Sequence, residues 1–195
     1  MTRTTLALAA ALALAAGAAH AGNHGKYHDK DTKKTAKEIG KAEAKAGPKM
    51  YSGIAAAPAN KQEREIAGLF DRWNAALRTG NPRTVASLYA PTGVLLPTVS
   101  NEVRVGPQAI ENYFVDFLKM RPQGTINMRE IRMLDDNTAL DTGVYTFVLQ
   151  PEGQTKSVQA RYTYVYERIG GEWKIKTHHS SAMPEIVAQA ATASN

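Results

Sequence analysis

The sequence predicts an α+β fold, in which three N-terminal helices pack on the concave face of a cone-shaped, curved antiparallel sheet. Two observations indicate this class. Apolar residues recur at helical spacing between Glu63 and Met120, whereas from Thr125 onward β-branched and aromatic residues alternate with polar ones. Helices that precede a run of strands, instead of alternating with them, are typical of α+β domains.

Three segments have the signature of helices. The first is predicted from Glu63 to Arg78, and its apolar face consists of Ile66, Leu69, Phe70, Trp73 and Leu77. Asn81 followed by Pro82 supplies a capping side chain and a proline at the first helical position, which predicts a short second helix through Leu88 and Tyr89. The third helix is predicted in "GPQAIENYFVDFLKM", residues 106–120.

Six segments are predicted to be strands. Two are brief, "GVLLP" and "EVRVG", and four are long: "TINMREIRML", "TALDTGVYTFVL", "KSVQARYTYVYERI" and "EWKIKTHHSSAM". Turn residues separate the four long strands, at 135–137, 151–153 and 170–171. Short turns between consecutive strands predict an antiparallel meander.

The N-terminus predicts export. Arg3 precedes an apolar run from Leu6 to Ala16, and Ala19-His20-Ala21 has the small-x-small form of a cleavage site. The run is too short to span a bilayer as a helix. We therefore expect residues 1–21 to be a signal peptide that is cleaved near Ala21, and the mature protein to be periplasmic or secreted.

Composition divides the remaining chain into a leader, a folded domain and a tail. Residues 22–60 hold eight lysines and four acidic residues, and we expect a Lys/Ala-rich flexible leader that makes at most a weak contact with an anionic surface. Residues 61–195 hold 15 basic and 14 acidic residues, so no nucleic-acid surface is predicted. The absence of cysteine excludes thiol catalysis and cysteine metal sites. Residues 187–195 are predicted to be a disordered tail.

The last two strands carry a specific resemblance. In "YTYVYERIGGEWKIKTHHSSAMP", Gly171 lies two residues before Trp173, and His179, Ser181 and Pro184 follow that tryptophan by six, eight and eleven residues. This spacing, together with "ALRTGNPRTVASLY" earlier, resembles the association (hub) domain of calcium/calmodulin-dependent protein kinase II. It is also similar to the bacterial stand-alone relatives of that domain, of the SgcJ/EcaC type, in the nuclear transport factor 2-like (SnoaL-like) superfamily. The resemblance covers residues 64–184 and assigns an association-domain-like cone to residues 61–186.

The resemblance implies a homodimer or larger ring whose cones bind small molecules. Pocket arginines of the kinase hubs are replaced here by Val144 and Tyr164, and a pocket histidine is replaced by Thr177, so the pocket is expected to be less cationic. No cofactor is expected, because the sequence has no Gly-rich dinucleotide loop and no flavin or haem signature.

The two adjacent histidines are expected to lie on opposite faces of the last strand, because side chains alternate along a strand. Trp173 and Ile175 require burial, so the same alternation turns Thr177, His179 and Ser181 into the cone and His178 away from it. Diverging rings cannot ligate one metal ion, and no metal site is predicted. His179 either contacts a ligand, acts as a general base or is a neutral core histidine.

Alternation on the neighbouring strands completes the predicted pocket and an interface. Tyr162 and Tyr164 are expected to line the cavity beside His179 or to pack in the core, and the helices contribute Trp73 and Tyr113. On the preferred register the inward residues of the fourth predicted strand are Thr142, Val144 and Thr146. Its outward residues, Asp141, Tyr145 and Phe147, would share the outer face with Arg161 and Val165. That face is too apolar for a monomer, so Tyr145, Phe147, Val165 and Arg161 are predicted to form a dimer interface. A one-residue bulge would reverse these assignments and permit an Asp141–His179 dyad.

Three functions remain open at this point. The first is an exported, hub-like, non-catalytic homo-oligomer that binds a small molecule. The second is a cofactor-free enzyme resembling isomerases and dehydratases, with His179 as general base, acting on a small hydrophobic or carbonyl ligand; Asp141 is the alternative catalytic residue. The third is an interaction module that the lysine-rich leader tethers to an anionic partner. Loss of turnover on replacing His179 would favour the enzyme.

Overall fold

The structure is a computed structural model that describes residues 50–183. The predicted signal peptide, most of the predicted leader and the predicted tail lie outside the described residues. The helices are α1 (Lys61–Arg78), α2 (Pro82–Ala86) and α3 (Pro107–Phe117). The strands are β1 (Tyr89–Leu96), β2 (Arg104–Val105), β3 (Gln123–Asp135), β4 (Thr138–Leu149), β5 (Lys156–Ile169) and β6 (Glu172–Ala182). No helix in the described range is long and apolar enough to cross a membrane.

Helix α1 is amphipathic and capped at its N-terminus. The side chain of Asn60 accepts a hydrogen bond from the backbone N–H of Glu63 at 2.8 Å, which satisfies one of the free donors of the first turn. The face predicted to be apolar is buried against the sheet, with Phe70 and Trp73 each 2% exposed. The predicted helix is confirmed and begins two residues earlier than expected.

Helix α2 is shorter than predicted. Asn81 caps it as expected, accepting from the backbone of Arg83 and Thr84, but it ends at Ala86 instead of continuing to Tyr89. Tyr89 instead opens β1, and the backbone of Ile175 in β6 donates a hydrogen bond to Leu88 O at 2.9 Å. Pairing with β6 therefore competes successfully with a further helical turn.

The six strands form one sheet in the order β2-β1-β6-β5-β4-β3. Strands β3 to β6 are the predicted antiparallel meander, whereas β1 runs parallel to β6, so the sheet is not wholly antiparallel. The sheet is curved and unclosed, and the helices pack on it around one hydrophobic core. The predicted α+β class is confirmed.

Two of the bulges in the sheet change which side chains face into the cone. In β6, Thr177 pairs with Val165 while Ile175 pairs with Tyr166, so Lys176 is an extra residue. In β3, Asn127 is the extra residue, between Ile126, which pairs with Tyr145, and Met128, which pairs with Val144. A Cβ atom at Gly143 would overlap the carbonyl oxygen of Met128, so this bulge requires glycine.

The end of the predicted leader lies against the sheet. The backbone N–H of Ala55 donates to Ile126 O at 2.9 Å. The side-chain amide of Gln159 bonds the backbone of Tyr51 twice, accepting from its N–H and donating to its carbonyl oxygen, each at 3.0 Å. The chain is therefore fixed to the domain ten residues before α1 begins.

Candidate functional site

The adjacent histidines lie on opposite faces of β6, but in the reverse of the predicted orientation. His178 is 3% exposed and lies inside the cone, whereas His179 is exposed on the outer face. The prediction that His179, Thr177 and Ser181 point inward is wrong. Trp173 and Ile175 are buried as expected, but the extra residue at Lys176 moves the inward positions beyond it to His178 and Ser180.

The predicted register of β4 is also wrong. Asp141, Tyr145 and Phe147 are buried inside the cone, and Thr142 and Thr146, which were predicted to face inward, lie with Val144 on the outer face. Tyr145 and Phe147 therefore cannot form an outer interface. The physical reason is area: turning two large aromatic side chains inward removes far more apolar surface from water than turning threonine and valine inward.

The remaining predicted interface residues lie where they were expected. Arg161 is exposed and Val165 is half-buried, and β5–β6 pairing places them opposite Ser181 and Thr177 on the outer face. Their contact with a second copy stays a prediction.

Tyr162 and Tyr164 lie inside the cone, behind the cavity instead of in its wall. Tyr162 stacks on Tyr145 with ring centroids 4.9 Å apart, and Tyr164 stacks on Tyr166 at 5.5 Å. The ring of Tyr164 also packs against His178 at 4.1 Å. These tyrosines support the cavity wall, and no contact with a ligand is established for them.

A cavity of about 60 Å³ opens inside the cone, between α1, α3 and the sheet. This space is several times the roughly 10–15 Å³ that one water molecule requires. Most of the wall is apolar and none of the described residues that line it is charged. Trp73 and Tyr113 belong to the wall, together with Leu95, Pro97, Thr98, Val99, Phe114, Phe117, Tyr145, Phe147, Leu149, Val158, Ala160, His178 and Ser180.

A chain of hydrogen bonds crosses the sheet side of this cavity. His178 Nδ1 lies 3.0 Å from the Tyr89 hydroxyl, and Nε2 lies 3.5 Å from the Tyr145 hydroxyl. Tyr145 donates its hydroxyl hydrogen to Ser180 Oγ, and Ser180 in turn bonds Thr98 Oγ1. The chain thus runs from the deep interior to the loop after β1.

His178 is held neutral. Burial lowers its pKa to about 3, with a smaller lowering by the neighbouring His179, because an imidazolium at this position would lose its hydration. Burial also raises the pKa of Tyr145 above its usual value, against a lowering contribution from Ser180. The polar wall of the cavity is therefore uncharged at neutral pH.

Asp141 forms a separate buried cluster. It is 0% exposed; its Oδ1 accepts from Arg129 Nε at 3.2 Å and from the Tyr162 hydroxyl at 2.9 Å, while its Oδ2 has no partner within residues 50–183. Burial raises the pKa of Asp141 to about 6, although Arg129 and Tyr162 act to lower it. Asp141 does not line the cavity, and the Asp141–His179 dyad is not formed because His179 lies on the other face.

Sequence reasoning missed the hydrogen-bonding residues of the cavity. Nothing in the sequence marks the bulge that turns His178 and Ser180 inward. Tyr89 was predicted to lie at a helix end, and Thr98 lies between two predicted strands and was not singled out. Among residues 50–183, no three histidine or acidic side chains are placed to hold one metal ion.

Comparisons with known proteins give one family. Residues 62–184 match the calcium/calmodulin dependent protein kinase II association domain family. A crystal structure of a candidate association domain of this kind from Xanthomonas campestris is 60% identical, with a TM-score of 0.69, over 70% of this chain and 99% of that chain. No curated protein matches the sequence significantly.

More distant structures share the fold. A nuclear transport factor 2-like superfamily protein from Salmonella enterica is 19% identical, with a TM-score of 0.54, over 61% of this chain and 89% of that chain. A candidate scytalone dehydratase from Novosphingobium aromaticivorans is 14% identical, with a TM-score of 0.55, over 62% of this chain and 83% of that chain. At these identities the likeness concerns architecture alone.

Proposed function

Because the chain belongs to the calcium/calmodulin dependent protein kinase II association domain family, we propose that it is an exported, homo-oligomeric, non-catalytic domain whose cone binds a small molecule. The observation that carries the ligand-binding part is the cavity inside the cone. Its apolar wall and its few convergent polar groups at His178, Ser180 and Thr98 are the usual features of small-molecule sites.

A non-catalytic role is favoured by the chemistry of the polar wall. A general base works best when its pKa lies near the working pH, and the pKa of His178 lies near 3, so this imidazole is a weak base. His179, the general base of the alternative hypothesis, is exposed on the outer face and does not line the cavity. His178 is therefore suited to hydrogen bonding and packing.

Oligomerisation is supported by the family and by the outer face of β4, β5 and β6. The exposed and half-buried members of this outer face include Thr142, Thr146, Arg161, Thr163, Val165, Thr177, His179 and Ser181. Its side chains are mostly short or β-branched, so the surface is flat. Thr142 Oγ1 donates to Tyr162 O at 2.9 Å within the sheet. Such a surface suits contact with a second sheet.

One observation favours a catalytic alternative. Asp141 has a pKa of about 6 and an unpartnered Oδ2 inside the cone, which are properties of a general base. Asp141 does not line the cavity, so an enzyme of this kind requires a ketone that reaches past the wall to Asp141, which would then remove a proton from the α-carbon. Incubation with a small ketone in D₂O, followed by proton NMR, measures that exchange. Exchange above the buffer rate that is lost in Asp141→Asn would establish the enzyme; exchange at the buffer rate supports the binding protein.

Two proposals concern the N-terminal part of the chain: export, and contact of the lysine-rich leader with an anionic surface. We infer from its sequence that residues 1–21 direct export and that the lysine-rich leader holds the domain near an anionic surface. N-terminal sequencing of protein recovered from the periplasm should begin at Gly22. Intact Met1 in a cytoplasmic fraction would contradict export.

Native mass spectrometry of the mature, undenatured protein tests oligomerisation and ligand binding together. We expect a dimer or larger ring that carries an adduct of low mass. A bare monomer at micromolar concentration would contradict the oligomer, and an oligomer without an adduct would require ligand addition to detect binding.

A further inference from the structure

We propose that the cone takes an uncharged molecule that presents a hydrogen-bond acceptor, such as a ketone or amide carbonyl oxygen, to the Ser180 and Thr98 hydroxyls. This inference rests on the proposed ligand-binding function and specifies its ligand class. Two features of the cavity carry it: the number of hydrogens in the polar chain and the lack of charge in the wall.

The hydrogen-bonded side chains of the cavity carry one more polar hydrogen than the hydrogen bonds among them use. Four hydroxyls and one neutral imidazole supply five hydrogens, but only four hydrogen bonds link Tyr89, His178, Tyr145, Ser180 and Thr98. Because Tyr145 donates to Ser180, its lone pair accepts from His178 Nε2–H, and His178 Nδ1 then accepts from Tyr89. The spare hydrogen therefore lies on Ser180 or Thr98, both of which line the cavity.

The cavity wall contains no charged side chain that could pair with a charged ligand. The residues that line the cavity include no lysine, arginine, aspartate or glutamate, and His178 is neutral. Burial raises the pKa of the wall residue Tyr113 and Arg104 acts to lower it, but Arg104 is paired with Glu102 and does not line the cavity. Arg129 is paired with Asp141 and also lies outside the wall. A carboxylate entering this space would lose its hydration without gaining a counter-charge, which is strongly unfavourable.

Three probes of similar shape separate these properties: acetophenone, α-methylstyrene, in which a CH₂ group replaces the oxygen, and benzoate. Isothermal titration of the oligomeric protein measures each dissociation constant. We expect acetophenone to bind about tenfold more tightly than α-methylstyrene, which is the typical effect of one hydrogen bond, and benzoate to bind least. Equal binding of acetophenone and α-methylstyrene, or preferred binding of benzoate, would overturn the ligand class while leaving a ligand-binding cone intact. Binding of none of the three would overturn the ligand-binding function itself.

The carbonyl stretching frequency of bound, ¹³C-labelled acetophenone locates the donor. A hydrogen bond lowers this frequency relative to that in an apolar solvent. We expect Ser180→Ala to raise it and Ser181→Ala, its neighbour on the outer face, to leave it unchanged. Thr98→Val serves as the second variant if Ser180→Ala unfolds, because it removes the other hydroxyl at nearly constant volume. An unshifted frequency in the wild-type protein, or equal effects of Ser180→Ala and Ser181→Ala, would contradict the assignment.

Discussion

His178 and His179 are chemically identical residues one position apart, and burial alone gives them different roles. His178 has two hydroxyl partners and is packed between Tyr164 and Trp73, with ring centroids at 4.1 and 5.4 Å. His179 is exposed on the outer face. Each residue is therefore a matched control for substitutions of the other.

Replacement of His178 should cost stability, and replacement of His179 should not. His178→Gln leaves buried hydroxyls of Tyr89 and Tyr145 poorly paired, so we expect the free energy of unfolding to fall by about 1–3 kcal/mol. His179→Gln should lie within about 0.5 kcal/mol of wild type, as is usual for surface positions. Urea unfolding at pH 7 measures both, and a larger loss for His179→Gln would contradict the orientation of β6.

The cost of His178→Gln should depend on pH. The pKa of His178 is lowered on folding, so between about pH 6.5 and pH 3 the unfolded chain binds a proton that the folded protein excludes. The stability that neutral His178 contributes is therefore complete above pH 6.5 and is lost as the pH falls, by up to about 1.4 kcal/mol per pH unit. The difference in unfolding free energy between His178→Gln and His179→Gln should shrink as the pH falls below 6.5 and should change sign by about pH 4. A constant difference would show that His178 is not buried in its neutral form.

Asp141 changes stability in the opposite direction over part of this range. Its pKa is raised to about 6, so the folded protein holds a proton that the unfolded chain releases above pH 4, and stability falls as the pH rises from 4 through 6. Comparison of the two histidine variants cancels this contribution, because both retain Asp141.

Among the secondary-structure elements, strands β4 and β5 were predicted with the bounds that the structure has, and α1 and β6 differed by one or two residues at an end. Turn residues and periodicity are local properties, and sequence reports them directly. Which face of a strand is buried is a tertiary property, and a single extra residue reverses it. The bulge at Lys176 carries no sequence signal, and the bulge at Asn127 is marked only by the isolated glycine Gly143 on the neighbouring strand. The site could therefore be predicted as a set of strands but not as a set of inward residues.

The bulge in β3 predicts the effect of a minimal substitution. In Gly143→Ala the new methyl group would overlap the Met128 carbonyl oxygen, so we expect destabilisation by about 1–3 kcal/mol, which is typical of overpacking. Gly68→Ala is the control: no atom lies within 4 Å of a Cβ there, and alanine in the middle of α1 should stabilise by about 0.5–1 kcal/mol. Thermal unfolding of both variants would refute the bulge if Gly143→Ala were neutral.

For the molecule as a whole, the two faces of one sheet differ in what they contact. The concave face encloses the cavity, and the outer face is available to a second copy. Sequence reasoning anticipated the cone but assigned Tyr145 and Phe147 to the wrong face of the sheet, because alternation without a fixed register permits either choice.

Assembly through the outer face predicts a charge-sensitive oligomer. Thr163 lies half-buried on that face, between β4 and β6, so Thr163→Lys should place an uncompensated charge in the interface and lower the oligomeric mass. Asn101→Lys adds the same charge in an exposed loop and should leave the mass unchanged. Analytical ultracentrifugation measures both masses, and an unchanged mass for Thr163→Lys would exclude this face as the interface.

The most direct test of ligand binding inside the cone is an NMR titration of the protein labelled with ¹⁵N at its histidine rings. His178 lines the cavity and His179 does not, although they are adjacent in β6. Addition of acetophenone should shift the ring nitrogen resonances of His178, which should be those of a neutral imidazole at pH 6, and leave those of His179 in place. Shifts confined to His179, or a charged His178 at pH 6, would contradict both the site and its chemistry.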